Sequence, residues 1–152
     1  MEIEAILKSK GMWTMKTAFV HTAKVNVGGK KTLLKLLNAY KHGTIRDAHK
    51  LWIFIDEGSQ VPLGIWAALA RFKMLGVRFV VAGDWFQQLP IHEPYGQEAA
   101  IRMETGSLLH ELCGGLRYNF EESRRSDVAH FNYYCGLRWL PDSRLAADSW
   151  RT

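Results

Sequence analysis

Two apolar runs that stop abruptly in acid constrain this chain more than anything else in it. Leu51-Trp52-Ile53-Phe54-Ile55 ends in Asp56-Glu57, and Val77-Arg78-Phe79-Val80-Val81-Ala82 ends in Gly83-Asp84. A short unbroken apolar run bounded by polar residues is the pattern of a strand buried on both faces, which is found in parallel sheets covered by helices. Between the runs, Pro62 opens a helical stretch to about Leu75, with Ile65, Trp66, Leu69 and Phe72 forming its apolar stripe, and Gly76 closes it. Strand, helix, strand is a βαβ crossover, so the two strands are expected to be parallel and their acidic ends to share one edge. Asp56 and Asp84 are 28 residues apart in sequence, yet the topology places them together where α/β proteins hold their ligands. The fold class expected is therefore α/β, a parallel sheet with flanking helices.

The rest of the chain is read more coarsely. Residues 1–16 show little patterning and read as a weakly structured lead-in. Residues 17–22 read as a short strand, 32–40 as a helix with Leu33, Leu36 and Leu37 on one face, and Lys41-His42-Gly43 as its end. Beyond Pro90 the pattern predicts a loop, a short helix at 107–112, a strand at 116–120 and a helix at 127–137. The segment 139–152 has no periodicity and reads as a frayed or disordered tail.

Composition limits the setting. The chain has 152 residues, one domain by length, with 47% hydrophobic and 23% charged residues, as in ordinary globular proteins. No apolar run reaches the roughly 20 residues of a membrane span, and the acids of Met1-Glu2-Ile3-Glu4 do not suit a secretory signal. Cys113 and Cys135 lack metal or redox spacing and read as reduced thiols of a soluble cytoplasmic or nuclear protein, not a secreted one. The net charge of +5 divides unevenly: ten Lys/Arg against three Asp/Glu in residues 1–50, ten against twelve thereafter. A basic first third suits an anionic partner, most simply nucleic acid, or is a solvated lysine surface.

An Asp-Glu pair at a strand end is what a nucleotide hydrolase needs beside its phosphate site. Asp56 would hold Mg²⁺, and Glu57 would orient and deprotonate a water. The plain alternative is that Asp56 caps the following helix and Glu57 is a surface residue. The polar loop Gly83-Asp84-Trp85-Phe86-Gln87-Gln88-Leu89-Pro90 favours the first reading, because an amide at Gln87 suits a phosphate oxygen or a water. Trp85 and Phe86 are candidates for stacking on the bases of a single strand, or for packing under the loop.

Taken together, these residues resemble the first motor domain of superfamily 1 helicases, of the RecD-like kind and their viral relatives. Ile55-Asp56-Glu57-Gly58-Ser59-Gln60-Val61 is similar to the family's Asp-Glu motif, and Gly83-Asp84-x-x-Gln87-x-x-Pro90 to the motif that follows it; Trp66 also fits the relatives' pattern. The segment from Phe120 through Arg124 and Arg125 to Asp127 resembles the one that supplies an arginine to the γ-phosphate, which makes Arg124 that arginine. His21-Thr22-Ala23 and Gly28-Gly29-Lys30-Lys31-Thr32 resemble the motif that approaches single-stranded DNA. The resemblance covers about residues 17–138. It implies a partial P-loop NTPase (RecA-like) motor domain, with ATP and Mg²⁺ as cofactors and a single strand as partner, DNA favoured over RNA. Glu57, Gln87 and Arg124 would then be catalytic, Asp56, Asp84, Gln87 and Arg124 would bind the cofactor, and His21, Lys30, Lys31, Trp85 and Phe86 would face nucleic acid.

One component of such a site has no match in the sequence. A phosphate loop requires Gly-x-x-x-x-Gly-Lys-Ser/Thr. Gly29-Lys30 is followed by Lys31, with Lys24 at the first glycine position, and Lys16-Thr17 has Lys10 and Met15 at the two glycine positions. The expectation is a fragment of an ATP-dependent helicase motor that needs further helicase segments. The alternatives are an inactive remnant serving as an interaction module and a metal-dependent nuclease built on Asp56, Glu57 and Asp84.

Overall fold

The computed structural model describes residues 2–26, 28–40, 45–85, 103, 106–120 and 127–137. A compact unit spans Met1–Arg117, and a second covers Tyr118–Thr152.

The first unit is built on a three-stranded parallel sheet of order β1-β2-β3: β1 (Trp13–Ala18), β2 (Leu51–Asp56) and β3 (Arg78–Val81). The two apolar runs do form parallel neighbours. β2 lies in the middle, with Ile53 opposite Met15 on one side and Phe79 on the other. Three more helices follow the strands: α2 (His21–Asn26) and α3 (Leu33–Tyr40) after β1, and α4 (Leu63–Met74) between β2 and β3. Pro62 stands just outside α4, at its N-cap position, where its missing N–H costs nothing. Gly76 ends the α4 connection at φ 92, a conformation that glycine adopts without strain.

Successive strand residues face opposite sides of the sheet. Leu51, Ile53, Ile55 and Phe79 point to the side covered by α3 and α4, and they bury with Leu33, Leu36, Trp66, Leu69 and Phe72 in one core. Trp66 and Leu69 are fully buried and Phe72 nearly so, which is the stripe expected from the sequence. Tyr40 of α3 meets Phe72 of α4 edge to face at 6.1 Å.

The amino-terminal segment corrects the sequence reading. Residues 2–9 form a helix, α1 (Glu2–Ser9), and the first strand occupies 13–18 where 17–22 was expected; α2 has begun by His21. The reason is a long-range ion pair. Glu4 Oε2 lies 2.7 Å from Lys16 Nζ, so α1 packs along β1 and a lysine is accommodated inside a strand. The Lys16 ammonium hydrogen-bonded to it holds the Glu4 carboxyl below the usual range.

Downstream, α5 (Ser107–Leu112) falls where the sequence placed a helix, and Leu112 reaches the core. Burial pushes the Cys113 thiol up, so it stays protonated. The strand expected at 116–120 does not form. Leu116 is exposed, with no strand partner among the described residues. In the second unit, Tyr118 and Phe120 are exposed and touch edge to face at 5.2 Å. Its helix α6 (Val128–Leu137) begins as expected after Asp127, whose carboxylate accepts the His130 amide N–H at 2.8 Å. That hydrogen bond holds the Asp127 carboxyl below its ordinary value. Residues 139–152 lie outside the described residues.

Candidate functional site

Because all three strands run the same way, their carboxyl ends share one edge, and β2 brings two acids to its centre. Ala18 stands opposite Asp56, and Val81 opposite Ile55. Beyond the last β3 residue the backbone continues to pair: Ala82 N–H donates to Ile55 O at 2.9 Å and Gly58 N–H donates to Ala82 O at 2.8 Å. The turn carrying Asp56-Glu57 and the loop carrying Gly83-Asp84 are thereby tied directly to each other.

The tie depends on two glycines. A Cβ on Gly83 would lie 2.8 Å from Gly58 N and 3.0 Å from Ser59 N, and one on Gly58 would lie 2.6 Å from Val81 Cγ1. Only side-chain-free residues let the two backbones approach this closely. The sequence marked Gly58 and Gly83 as parts of two separate motifs and gave no sign that Gly83 admits the Gly58 backbone while Gly58 makes room for Val81.

Glu57 adopts a left-handed conformation, φ 53 and ψ 48, at the start of a 3-10 turn over Gly58–Gln60. For a residue with a Cβ this costs roughly 1–2 kcal/mol and persists only where the surroundings enforce it. Glu57→Gly should therefore raise the unfolding free energy by about 0.5–1 kcal/mol, as measured by urea denaturation. A loss of stability would mean that the Glu57 side chain anchors the turn.

Asp56, Glu57 and Asp84 are all partly buried. Glu57 makes no side-chain cap to the 3-10 turn, and α4 is capped by Pro62 without a side-chain bond, so the capping role open to Asp56 and Glu57 is not taken up at either start. Among the described residues, neither carboxylate is engaged in a hydrogen bond or ion pair. Asp84, by contrast, has a partner. No group of three or more His, Cys, Asp or Glu able to hold a metal forms among the described residues. That donor set suits a hard cation brought in with phosphate, since Mg²⁺ takes one or two protein carboxylates and completes its shell with water and phosphate oxygens.

The remaining candidates are distributed as follows. The turn bearing Lys30 and Lys31 folds back on β1, where Thr17 Oγ1 donates to Lys31 O at 2.9 Å, and both lysines are exposed. That hydrogen bond puts them at the same edge as the acids. His21 opens α2 at the carboxyl end of β1. Trp85 is partly buried and packs against the core, the arrangement expected of a ring under the loop. Phe86, Gln87 and Arg124 lie outside the described residues.

The fold is α/β, a three-stranded parallel sheet with flanking helices, of the kind seen in part of a RecA-like domain. Among solved structures the chain is similar to the Pif1 helicase of Candida albicans, with a TM-score of 0.58 and 18% identity; the match covers 93% of this chain and 37% of that one. The chain thus spans little more than a third of that structure's length. No family model matches the sequence, and no curated protein matches it. Among the described residues, no helix is long and apolar enough to cross a membrane.

Proposed function

We propose that the carboxyl edge is the metal-holding and water-activating half of a nucleotide site in a superfamily 1, RecD-like DNA helicase motor, carried by residues 17–138. The observation that supports this most is the backbone tie from Gly58 N–H to Ala82 O, beside the close approach of Gly83 to Gly58, which fixes the two acid loops side by side and leaves the Asp56 and Glu57 carboxylates unengaged among the described residues. Asp56 would hold a Mg²⁺ ion brought with ATP, whose chemistry there would be charge neutralisation at the phosphates. Glu57, raised into the left-handed turn, orients a water and accepts its proton. Gln87 and Arg124 complete the γ-phosphate contacts by the resemblance. Lys30, Lys31 and His21 take a single strand, DNA in preference to RNA, on the same edge, with Phe86 as the stacking ring by the resemblance and Trp85 supporting the loop from beneath.

Hydrolysis on this scheme requires a phosphate loop, which these 152 residues do not contain. That favours a second reading for the chain acting by itself: a nucleic-acid or protein interaction module that does not turn over ATP. The phosphate loop supplies the backbone N–H groups that cradle the phosphates, so Mg-ATP should bind this chain weakly, without saturating in the micromolar range. Isothermal titration calorimetry tests this, and saturable micromolar affinity would overturn it.

A further inference from the structure

The opposite, amino-terminal edge of the sheet carries a second charged surface, which the acid-edge reading does not use. Three loops converge there because the strands start in register, with Trp13 opposite Leu51 and Trp52 opposite Arg78. The end of α1 and the loop into β1 carry Lys8 and Lys10. The loop into β2 carries Arg46, His49 and Lys50. The end of α4 and the start of β3 contribute Arg71, Lys73 and Arg78.

The second and third of these segments are close-packed. A Cβ placed on Gly76 would lie 3.3 Å from His49 Cα, and the Arg78 guanidinium sits 5.4 Å over the Trp52 ring. Together the stretches 8–12, 45–50 and 71–78 hold seven Lys/Arg against a single acid, a net of +6, where the whole chain carries +5. That acid, Asp47, is 3.9 Å from Lys50. Lys8, Lys10, Arg46, Arg71 and Arg78 are exposed, and no ion pair engages them among the described residues. A like-charged surface of this density is destabilising by itself and calls for an anionic polymer.

We propose that this amino-terminal edge binds the phosphate backbone of a nucleic-acid duplex. Three of its cations are arginines, whose planar forks match phosphate oxygens. Trp52 is occupied by Arg78, which leaves the half-exposed Trp13 as the single free ring on the three strand starts. Such a surface reads charge and lacks the series of open aromatic faces that holds unstacked bases. A duplex offers closely spaced phosphates with its bases stacked away. The proposal does not rest on the acid edge, so duplex and single strand would occupy opposite ends of the sheet.

The test is fluorescence anisotropy of the full chain with a labelled duplex and a labelled single strand across a salt series. One exposed cation from each loop is replaced in the variant Lys10→Gln/Arg46→Gln/Arg71→Gln, with its fold checked by circular dichroism. The expected result is duplex binding weakened on the order of tenfold or more, equally for different sequences, with the slope of log K against log salt reduced by about 3. Single-strand binding should instead fall in Lys30→Gln/Lys31→Gln, which reports separately on the acid-edge reading. Unchanged duplex affinity and slope in the triple variant would overturn the proposal. So would wild-type chain that binds phosphatidylserine vesicles but no duplex, or a triple variant that loses single-strand binding alone.

Discussion

Replacing Gly83 with alanine is expected to destabilise the Met1–Arg117 unit by about 2–3 kcal/mol. The added methyl would stand 2.8 Å from Gly58 N, 3.0 Å from Ser59 N and 3.3 Å from Gly58 Cα. All three atoms are backbone, so no side chain can rotate to relieve the contact, and the Gly58 N–H to Ala82 O bond at 2.8 Å has to open. The effect is steric, since Gly83 is not among the positive-φ residues. A matched control lies nearby: a Cβ on Gly64 meets nothing within 4 Å. Gly64→Ala in α4 should be neutral or stabilising by up to about 1 kcal/mol. Urea denaturation of both variants reads the difference. Equal stabilities would mean that the two acid loops are not held against each other.

Trp66→Ala is expected to cost more, about 3–5 kcal/mol, a large share of the roughly 5–15 kcal/mol available to a domain. Trp66 is fully buried between α4 and β2, and its ring edge lies 3.8 Å from the position of a Cβ on Gly58. It therefore supports the core and the floor of the acid turn together. Its indole Nε1 is buried with no hydrogen-bond partner among the described residues. Trp66→Phe, which keeps an aromatic ring and removes that donor, should consequently cost far less than Trp66→Ala. Thermal melts of the three proteins check the order. Comparable losses for Phe and Ala would show that the indole nitrogen contributes.

The residues that were legible in the sequence are those whose environment is local or uniformly apolar. β2 and β3 are buried on the α3–α4 side, and apart from Arg78 at the start of β3 they run as apolar stretches up to their acidic ends. α4 shows its stripe and its Pro62, and α6 has Asp127 at its start. What was not legible depended on distant partners. Lys16 made 13–18 look unlike a strand until Glu4 of α1 met it, and α1 itself has no buried residue to give it a pattern. The converse holds at 116–120, where the sequence pattern suggested a strand and no strand partner is found among the described residues. In the candidate site, the meeting of the loops that carry Asp56 and Asp84 followed from the parallel crossover. The glycine lock and the left-handed Glu57 did not, because each is a property of two backbones in contact. The cations of the amino-terminal edge are scattered through the sequence, and only the register gathers them.

In the proposed site these two loops form one nucleotide-facing edge. Amide chemical shifts of the full chain, followed by NMR during a millimolar Mg-ATP titration, address it most directly. The account predicts shifts concentrated at 56–59 and 82–85 that grow without saturating and are lost in Asp56→Asn. Shifts centred on another part of the sheet, or persisting unchanged in Asp56→Asn, would contradict it.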